Sequence, residues 1–367
     1  MALLGRACSG YARVHQVVHV RHLAAVIAVI IPLCVGGCVA APSQSSSNVV
    51  PDKAFQACLN SYLGQDGSAD ITPTQLGSLH GEVDCVVHHV VSIEGAQYLA
   101  NITDLGLSTN EVSDLTPVSG LENLETLNLE ANKIGDLTPL SGLKALTTLD
   151  LSSNKVIDVT PLSGLTSLTT LLLNYNNVSD LAPLSGLTDL FHLGLSYNQI
   201  GDLAPLSKLN SLTALELAHD QIGDVSPLAG LSNLRGLGLA GNQISDVTAL
   251  AGLNVSVFDL RENRIADLSA LGNWQDCHGG HSCELDATLQ QVDLGSVALG
   301  TVPVPIVTTA GHEMAVSVTA GPAVINGDGT ITYTSAGRVT LTWDTTTNSQ
   351  SDQKFFSGMA FVTVLAQ

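Results

Sequence analysis

The chain has 367 residues, 45% of them apolar, with 13 basic and 33 acidic side chains and a formal charge of −20. That is ample material for packed cores, and its acidity excludes the basic patch that nucleic-acid binding requires.

The first 37 residues carry Arg6, Arg13 and Arg21, no acidic residue, and an apolar run from Leu23 to Val35. This is the pattern of a secretory signal peptide, because the run is too short for a membrane span and Pro32 interrupts it. The stretch ahead of the run is long, which leaves a start downstream of Met1 open. Val35-Gly36-Gly37-Cys38 resembles a bacterial lipobox, which implies cleavage before Cys38 and a lipid on its thiol. Other cut sites are poorer: Leu33 is bulky where Cys34 would need a small neighbour, and Pro42 would adjoin a cut after Ala41. Removing the leader takes away three basic and no acidic residues, so the mature chain carries 10 minus 33, or −23. The expected product is an exported lipoprotein, anchored to a membrane at the bacterial cell surface or outer membrane.

Residues 38–50 form a tether, Ser-rich from Pro42 to Asn48 and therefore flexible. Residues 51–98 read as a cap, with a helical pattern around Ala54, Phe55, Cys58, Leu59 and Leu63. Val90 to Gly95 lines up with positions 14 to 19 of the repeat that follows, so this is a degenerate coil. In that register Cys85 falls at a core strand position, and Cys58 is its expected disulfide partner, closing the open end of the array. An oxidising export compartment permits the bond.

Residues 99–273 hold eight units that begin at Leu99, Leu121, Leu143, Leu165, Leu187, Leu209, Leu231 and Leu253. The first seven are 22 residues long, with apolar residues at positions 1, 4, 7, 9, 14, 17 and 20; the last is one residue short, and Val255 and Phe258 restore the register. A fixed period of this length marks a solenoid, in which one coil cannot bury its own apolar face and stacking supplies the core. Leu127-Asn128-Leu129 alternates and predicts a short strand. Position 12 is Asn in seven units (Asn110, Asn132, Asn154, Asn176, Asn198, Asn242, Asn263), where an amide can both donate to and accept from neighbouring coils. Asp220 is the exception and lacks the donors, which predicts a weak point. Asp recurs at position 16 in all eight units, from Asp114 to Asp267. A short acceptor before L-x-P-L suits the cap of a 3₁₀ turn, and an aspartate ladder holding metal is the sharper alternative.

The L-x-x-L-x-L-x-x-N core is that of a leucine-rich repeat, and the continuation N-x-I-x-D-L-x-P-L-x-G resembles the internalin subclass. The resemblance covers roughly residues 51–367. It implies a right-handed α/β solenoid of short parallel strands and 3₁₀ turns.

Residues 274–286 follow as a cap loop, with Cys277, His278, His281 and Cys283 crowded together beneath Trp274. Two Cys and two His can hold zinc, but an oxidising compartment and the crowding favour a Cys277–Cys283 disulfide. Four mature cysteines besides Cys38 allow three pairings, and proximity in sequence selects these two. From about Leu285 the period is gone, and residues 287–367 read as short strands (Met314–Thr319, Thr330–Thr334, Arg338–Trp343, Ala360–Leu365) of an all-β sandwich. Gly321 to Thr342 resembles bacterial immunoglobulin-like modules, which internalin-type proteins carry behind the repeats as a spacer or shield.

No G-x-S-x-G, G-x-x-x-x-G-K or H-E-x-x-H motif occurs, so neither an enzyme nor a cofactor is expected, and no metal. Function is expected on the strand face, where positions 6, 8 and 10 point outward and position 11 sits at their edge. Small residues dominate its C-terminal coils. The middle coils bring together Asp150, Leu172, Asn174, Tyr175, His192, Tyr197, Glu216 and His219. Exposed aromatics with a few charges are what a binding hot spot needs; alternatively Tyr175 and Tyr197 simply cover the turn between coils. Internalins engage protein partners through this concave face, so the resemblance implies a monomeric surface receptor for a protein ligand. The chain has a lipobox in place of a C-terminal L-P-x-T-G, which favours surface display and binding over host invasion as the expectation. An envelope or adhesion component that binds a glycan and an enzyme's targeting arm are the other classes. In a bacterial host, labelled palmitate is expected to enter the wild-type chain and to be absent from a Cys38→Ser variant.

Overall fold

The computed structural model describes residues 48–86, 89–271 and 284–365, the last stretch with gaps at 299, 304–307, 310–311, 314–315, 322, 327–329, 334–336 and 345–353. The leader, Cys38 and most of the tether lie outside the described residues, as do Trp274, Cys277, His278, His281 and Cys283.

The cap begins with helix α1 (Lys53–Leu63). Asp52 starts it: one carboxylate oxygen accepts from the Ala54 and Phe55 N–H groups, and the other accepts from Val91 and Ser92 in the degenerate coil. A single side chain thus caps the helix and ties it to the array. Gly64, left-handed at φ 65°, ends the helix. A short helix α2 (Pro73–Leu76) follows, opened by a Thr72–Gln75 capping box. Cys58 in α1 is bonded to Cys85 just beyond strand β1 (Gly81–Asp84). The expected pairing at this end is therefore present.

One short strand per coil follows: β2 (Ile102–Gly106), β3 (Thr126–Asn128), β4 (Thr148–Asp150), β5 (Thr170–Leu172), β6 (His192–Gly194), β7 (Ala214–Glu216), β8 (Gly236–Gly238) and β9 (Val257–Asp259). They stack in parallel without slippage, so equal positions of successive coils lie side by side, as in Thr126, Thr148, Thr170 and His192. The repeated leucines, isoleucines and valines are buried in one continuous core. On the other side each coil makes a single 3₁₀ turn, such as Thr138–Leu140, with proline inside its first turn in six of the coils. The position-16 carboxylates from Asp114 to Asp246 each accept from the N–H two residues on, at 2.8 Å. Each thus holds an Asx turn at the entry to the 3₁₀ turn, one residue ahead of the expected cap position, which Leu115 and its equivalents fill without a side-chain cap bond. No metal-holding group of three or more His, Cys, Asp or Glu occurs among the described residues.

The position-12 amides bind coil to coil. Asn132 donates from Nδ2 to the carbonyls of Leu107 in the preceding coil and of Leu129 and Glu130 in its own, and accepts from the Val112 N–H at 2.9 Å. The same set recurs at Asn110, Asn154, Asn176, Asn198, Asn242 and Asn263. Beyond the eight units Gln290 takes this role, accepting from Ile265 and donating to Leu260 and Ala287. The ladder therefore runs one coil further than the 22-residue period.

Strand β10 (Glu284–Ala298) makes that extension. Its first residues pair in parallel with β9, Glu284 beside Val257 and Asp286 beside Asp259. The expected boundary between a cap loop ending at 286 and a separate sandwich from 287 thus falls inside one strand. Shorter strands follow: β11 (Gly300–Pro303), β12 (Thr308–Thr309), β13 (His312–Glu313), β14 (Val316–Ala320), β15 (Ala323–Ile325), β16 (Thr330–Tyr333), β17 (Gly337–Asp344) and β18 (Lys354–Leu365). β10 pairs in parallel with β18, and β17 and β14 then add antiparallel, giving one 13-stranded sheet from β1 to β14. β11, β16 and β15 form a small antiparallel sheet, and β12 pairs with β13. No helix among the described residues is long and apolar enough to cross a membrane.

Asp220 is the flaw in the ladder. Its Oδ1 accepts from Asn198 and Ile200, but Oδ2 is buried without a partner. Burial pushes this carboxyl up to about 7 from 3.8, against the pull of those two N–H groups. A folded-state value above the unfolded one means that the folded chain holds the proton more tightly. Stability is then lost as pH rises from about 4 through about 7. Asp220→Asn restores the missing donors, so it is expected to stabilise by about 1–3 kcal/mol at pH 8 and by less at pH 5. Thermal melts at the two pH values check this.

Candidate functional site

The strand face carries three outward rows, at positions 6, 8 and 10. At position 11 the backbone turns left-handed in every coil: Thr109, Ala131, Ser153, Tyr175, Tyr197, His219 and Glu262 all have φ between 53° and 61°, and Gly241 has 69°. The N–H there still pairs with the next coil, Tyr175 with Ser196, Tyr197 with Ala218 and His219 with Ala240. One conformation is therefore repeated at the strand spacing of about 4.8 Å. That spacing is close to the separation of stacked rings. Tyr175 and Tyr197 stack with centroids 4.2 Å apart and planes within 10°, and Tyr197 and His219 at 4.4 Å and 24°. The column ends at Gly241, where an added Cβ would collide with the His219 ring.

Beside the column lies a polar cluster. His192 Nε2 is 3.0 Å from Glu216 Oε1, and Asn174 Nδ2 donates to Glu216 Oε2 at 3.1 Å. Asn174 Oδ1 accepts from the Ser196 N–H, and the Ser196 hydroxyl accepts from the Ala218 N–H. Asn174 and Glu216 are two coils apart, and Asn174 passes over Gly194 to make the contact. A Cβ at Gly194 would stand 2.8 Å from Asn174 Nδ2 and 3.0 Å from Leu172 Cδ2, so glycine there is a condition of the network. The hydrogen bond to Glu216 holds the His192 imidazolium above its ordinary 6.5, against burial. The same bond holds Glu216 below 4.5, again against burial, with help from Asn174.

Seven of the eight expected residues meet here, on β5 to β7 and the turns behind them. Leu172 is half-buried next to Gly194, and Tyr175 and Tyr197 remain 55% and 40% exposed despite their stacking. Asp150 stands one strand before Leu172 in the same row and accepts from the Ser152 N–H of its own turn. It borders the cluster without a side-chain link to it. Phe191, 56% exposed at position 5 next to His192, belongs to the surface and was not anticipated. The signal was available: Phe191 is the one aromatic in a column otherwise made of Thr103, Glu125, Thr147, Thr169, Thr213, Arg235 and Ser256. Ser196, Gly194 and Gly241 act through neighbours two positions or one coil away, which no single unit displays. The arrangement offers a rigid aromatic ridge beside a half-buried carboxylate–imidazole pair.

Residues 122–164, 144–186 and 166–208 match the family described as Leucine Rich repeats (2 copies). Internalin C2 of Listeria monocytogenes is 37% identical over 58% of this chain and 96% of its own, with a TM-score of 0.55. The chain belongs to the internalin-type leucine-rich-repeat proteins. A second internalin of the same organism, InlF, is 28% identical over 67% of this chain and 84% of its own, with a TM-score of 0.50. No curated protein matches the chain. The cluster sits at the middle coils of the strand face.

The His192 contribution to stability is present below 6.5 and lost as pH rises through its raised value; that of Glu216 is present above 4.5 and lost as pH falls through its lowered value. The pair is strongest between the two. A proton NMR titration of His192 is expected to show a midpoint above 6.5, returning toward it in Glu216→Gln.

Proposed function

We propose that the protein is an exported, lipid-anchored receptor that binds a protein partner on the concave face of its repeats and performs no catalysis. The observation that carries this is the stacked column Tyr175–Tyr197–His219 beside Leu172 and the His192–Glu216–Asn174 cluster. Aromatic side chains held rigid by their neighbours lose little entropy on binding, which is the economy of a hot spot. Half-buried polar groups whose bonds are already made add specificity at small desolvation cost. The export signal and the lipobox at Cys38 support membrane anchoring, and the Ser-rich tether supports display away from the surface. The C-terminal strands support an immunoglobulin-like module that acts as a spacer and covers the last coil. The protein acts as a monomer, its strand face free for the partner.

A glycan-binding envelope component is the second reading. Sugar rings stack on aromatic faces, yet in this column the faces of Tyr197 are taken by Tyr175 and His219. What remains are ring edges, hydroxyls and a single face of Tyr175 toward Ser153, which suit a protein surface better than a run of sugar rings.

Capture from surface and secreted extracts by the mature chain, made soluble by Cys38→Ser, tests the reading. A protein retained by this chain and lost from a still-folded Leu172→Ala, Tyr175→Ala, Tyr197→Ala, Glu216→Ala variant is the expected outcome. Recovery of carbohydrate alone would favour the envelope component, and equal retention by both chains would move the site off this face.

A further inference from the structure

The strand face is chemically polarised along the array. Its row at position 6 begins with Glu82 beside Asp104, and its row at position 8 with Asp84, followed three coils later by Asp150. Glu130 stands at position 10 between them and is exposed. From β1 to β5 these rows thus carry five carboxylates and no lysine or arginine. The lysines nearest in sequence, Lys133 and Lys155, stand at position 13, past the turn, and Lys133 is paired with Glu111 at 2.7 Å. From β5 to β7 the character changes to Leu172, the ring column, Phe191 and the His192–Glu216 pair. Further on, Gly236 and Gly238 of β8 offer little to grip, and only on β9 do Val257 and the Asp259–Arg261 pair follow.

Resting on the receptor reading above, we infer that the occupant of this face is an extended protein segment bearing lysine or arginine. It crosses the strands with its cationic side chains over Glu82, Asp84, Asp104, Glu130 and Asp150, and its apolar or aromatic anchor on Leu172, Tyr175 and Tyr197. Charge complementarity selects the first part. A row of carboxylates that no cation pairs with among the described residues repels itself, and a cation that neutralises it gains from every one. The aromatic edge selects the second, since an acidic field alone would hold any cation in any register. The reach agrees: five strand spacings of about 4.8 Å separate β1 from β6, a distance that about seven extended residues span. The two glycines of β8 leave room for the partner's bulk next to the ring column.

Two synthetic ten-residue peptides test this by fluorescence anisotropy against the full mature chain at low salt. One alternates lysine with serine and ends in leucine and tyrosine; the other has glutamate for each lysine. The lysine peptide is expected to bind and the glutamate peptide to fail. Neutralising Asp104→Asn, Glu130→Gln and Asp150→Asn together is expected to weaken the lysine peptide roughly tenfold, as three exposed charge pairs would. A charge-matched control with Glu94→Gln, Glu122→Gln and Asp189→Asn is expected to stay within about twofold, with both affinities falling as salt screens the charges. Equal weakening in the two variants would mean that the overall charge alone attracts the peptide, and would overturn the inference. Absence of binding by the lysine peptide would overturn it as well. If the extract still yields a partner that needs Tyr175 and Tyr197 but ignores the three carboxylates, the receptor reading stands and the basic segment does not.

Discussion

All but one of the eight coils of this protein are tied to their neighbours by one inward side-chain amide. At the turn after every strand the chain exposes carbonyls and an N–H that no other backbone group reaches, and in a dry core each unpaired group costs about 1–3 kcal/mol. The carboxamide answers both needs at once, with donors for the carbonyls and an acceptor for the N–H of the preceding coil. The 22-residue period is the length of chain that returns this amide to the same place in the next coil. Asp220 shows the rule by breaking it. The carboxylate keeps the acceptor role, loses the donors, and is left with one buried oxygen that has no partner.

The candidate site is a product of the same constraint. Holding every coil in identical register forces position 11 into one left-handed conformation and repeats it at the strand spacing. Rings placed there in three successive coils must stack, and glycine in the fourth makes room for the last of them. The solenoid thereby converts a spacing in sequence into a rigid surface without a dedicated loop. The polar cluster uses the second freedom that the register allows, a gap. Gly194 leaves an empty place in its row, and Asn174 crosses it to join a carboxylate two coils away.

The array continues past the point where its pattern fades. Gln290 stands in for the asparagine, and β10 pairs with β9 before joining the C-terminal strands. The ladder needs only an amide within reach, so a glutamine on a differently shaped strand serves as well. A strict period cannot reveal such a substitution. At the other end Asp52 joins helix and coil, one oxygen to each.

Sequence by itself determined the coil, its strand and turn, the inward leucines, the amide ladder, the weak point at Asp220 and the Cys58–Cys85 bond. All of these follow from a period and from chemistry that each unit repeats. It also placed Leu172, Tyr175, Tyr197, His192, Glu216 and His219 on one face, because equal positions of a solenoid become neighbours. Tertiary structure alone decided that the three rings stack on each other. It alone decided that His192 is paired with Glu216, that Asn174 crosses Gly194, that Phe191 joins the surface, and that the sheet runs on into the C-terminal strands. Those outcomes depend on distances of a few tenths of an ångström between different coils, and on the space left by glycine, neither of which a linear period records.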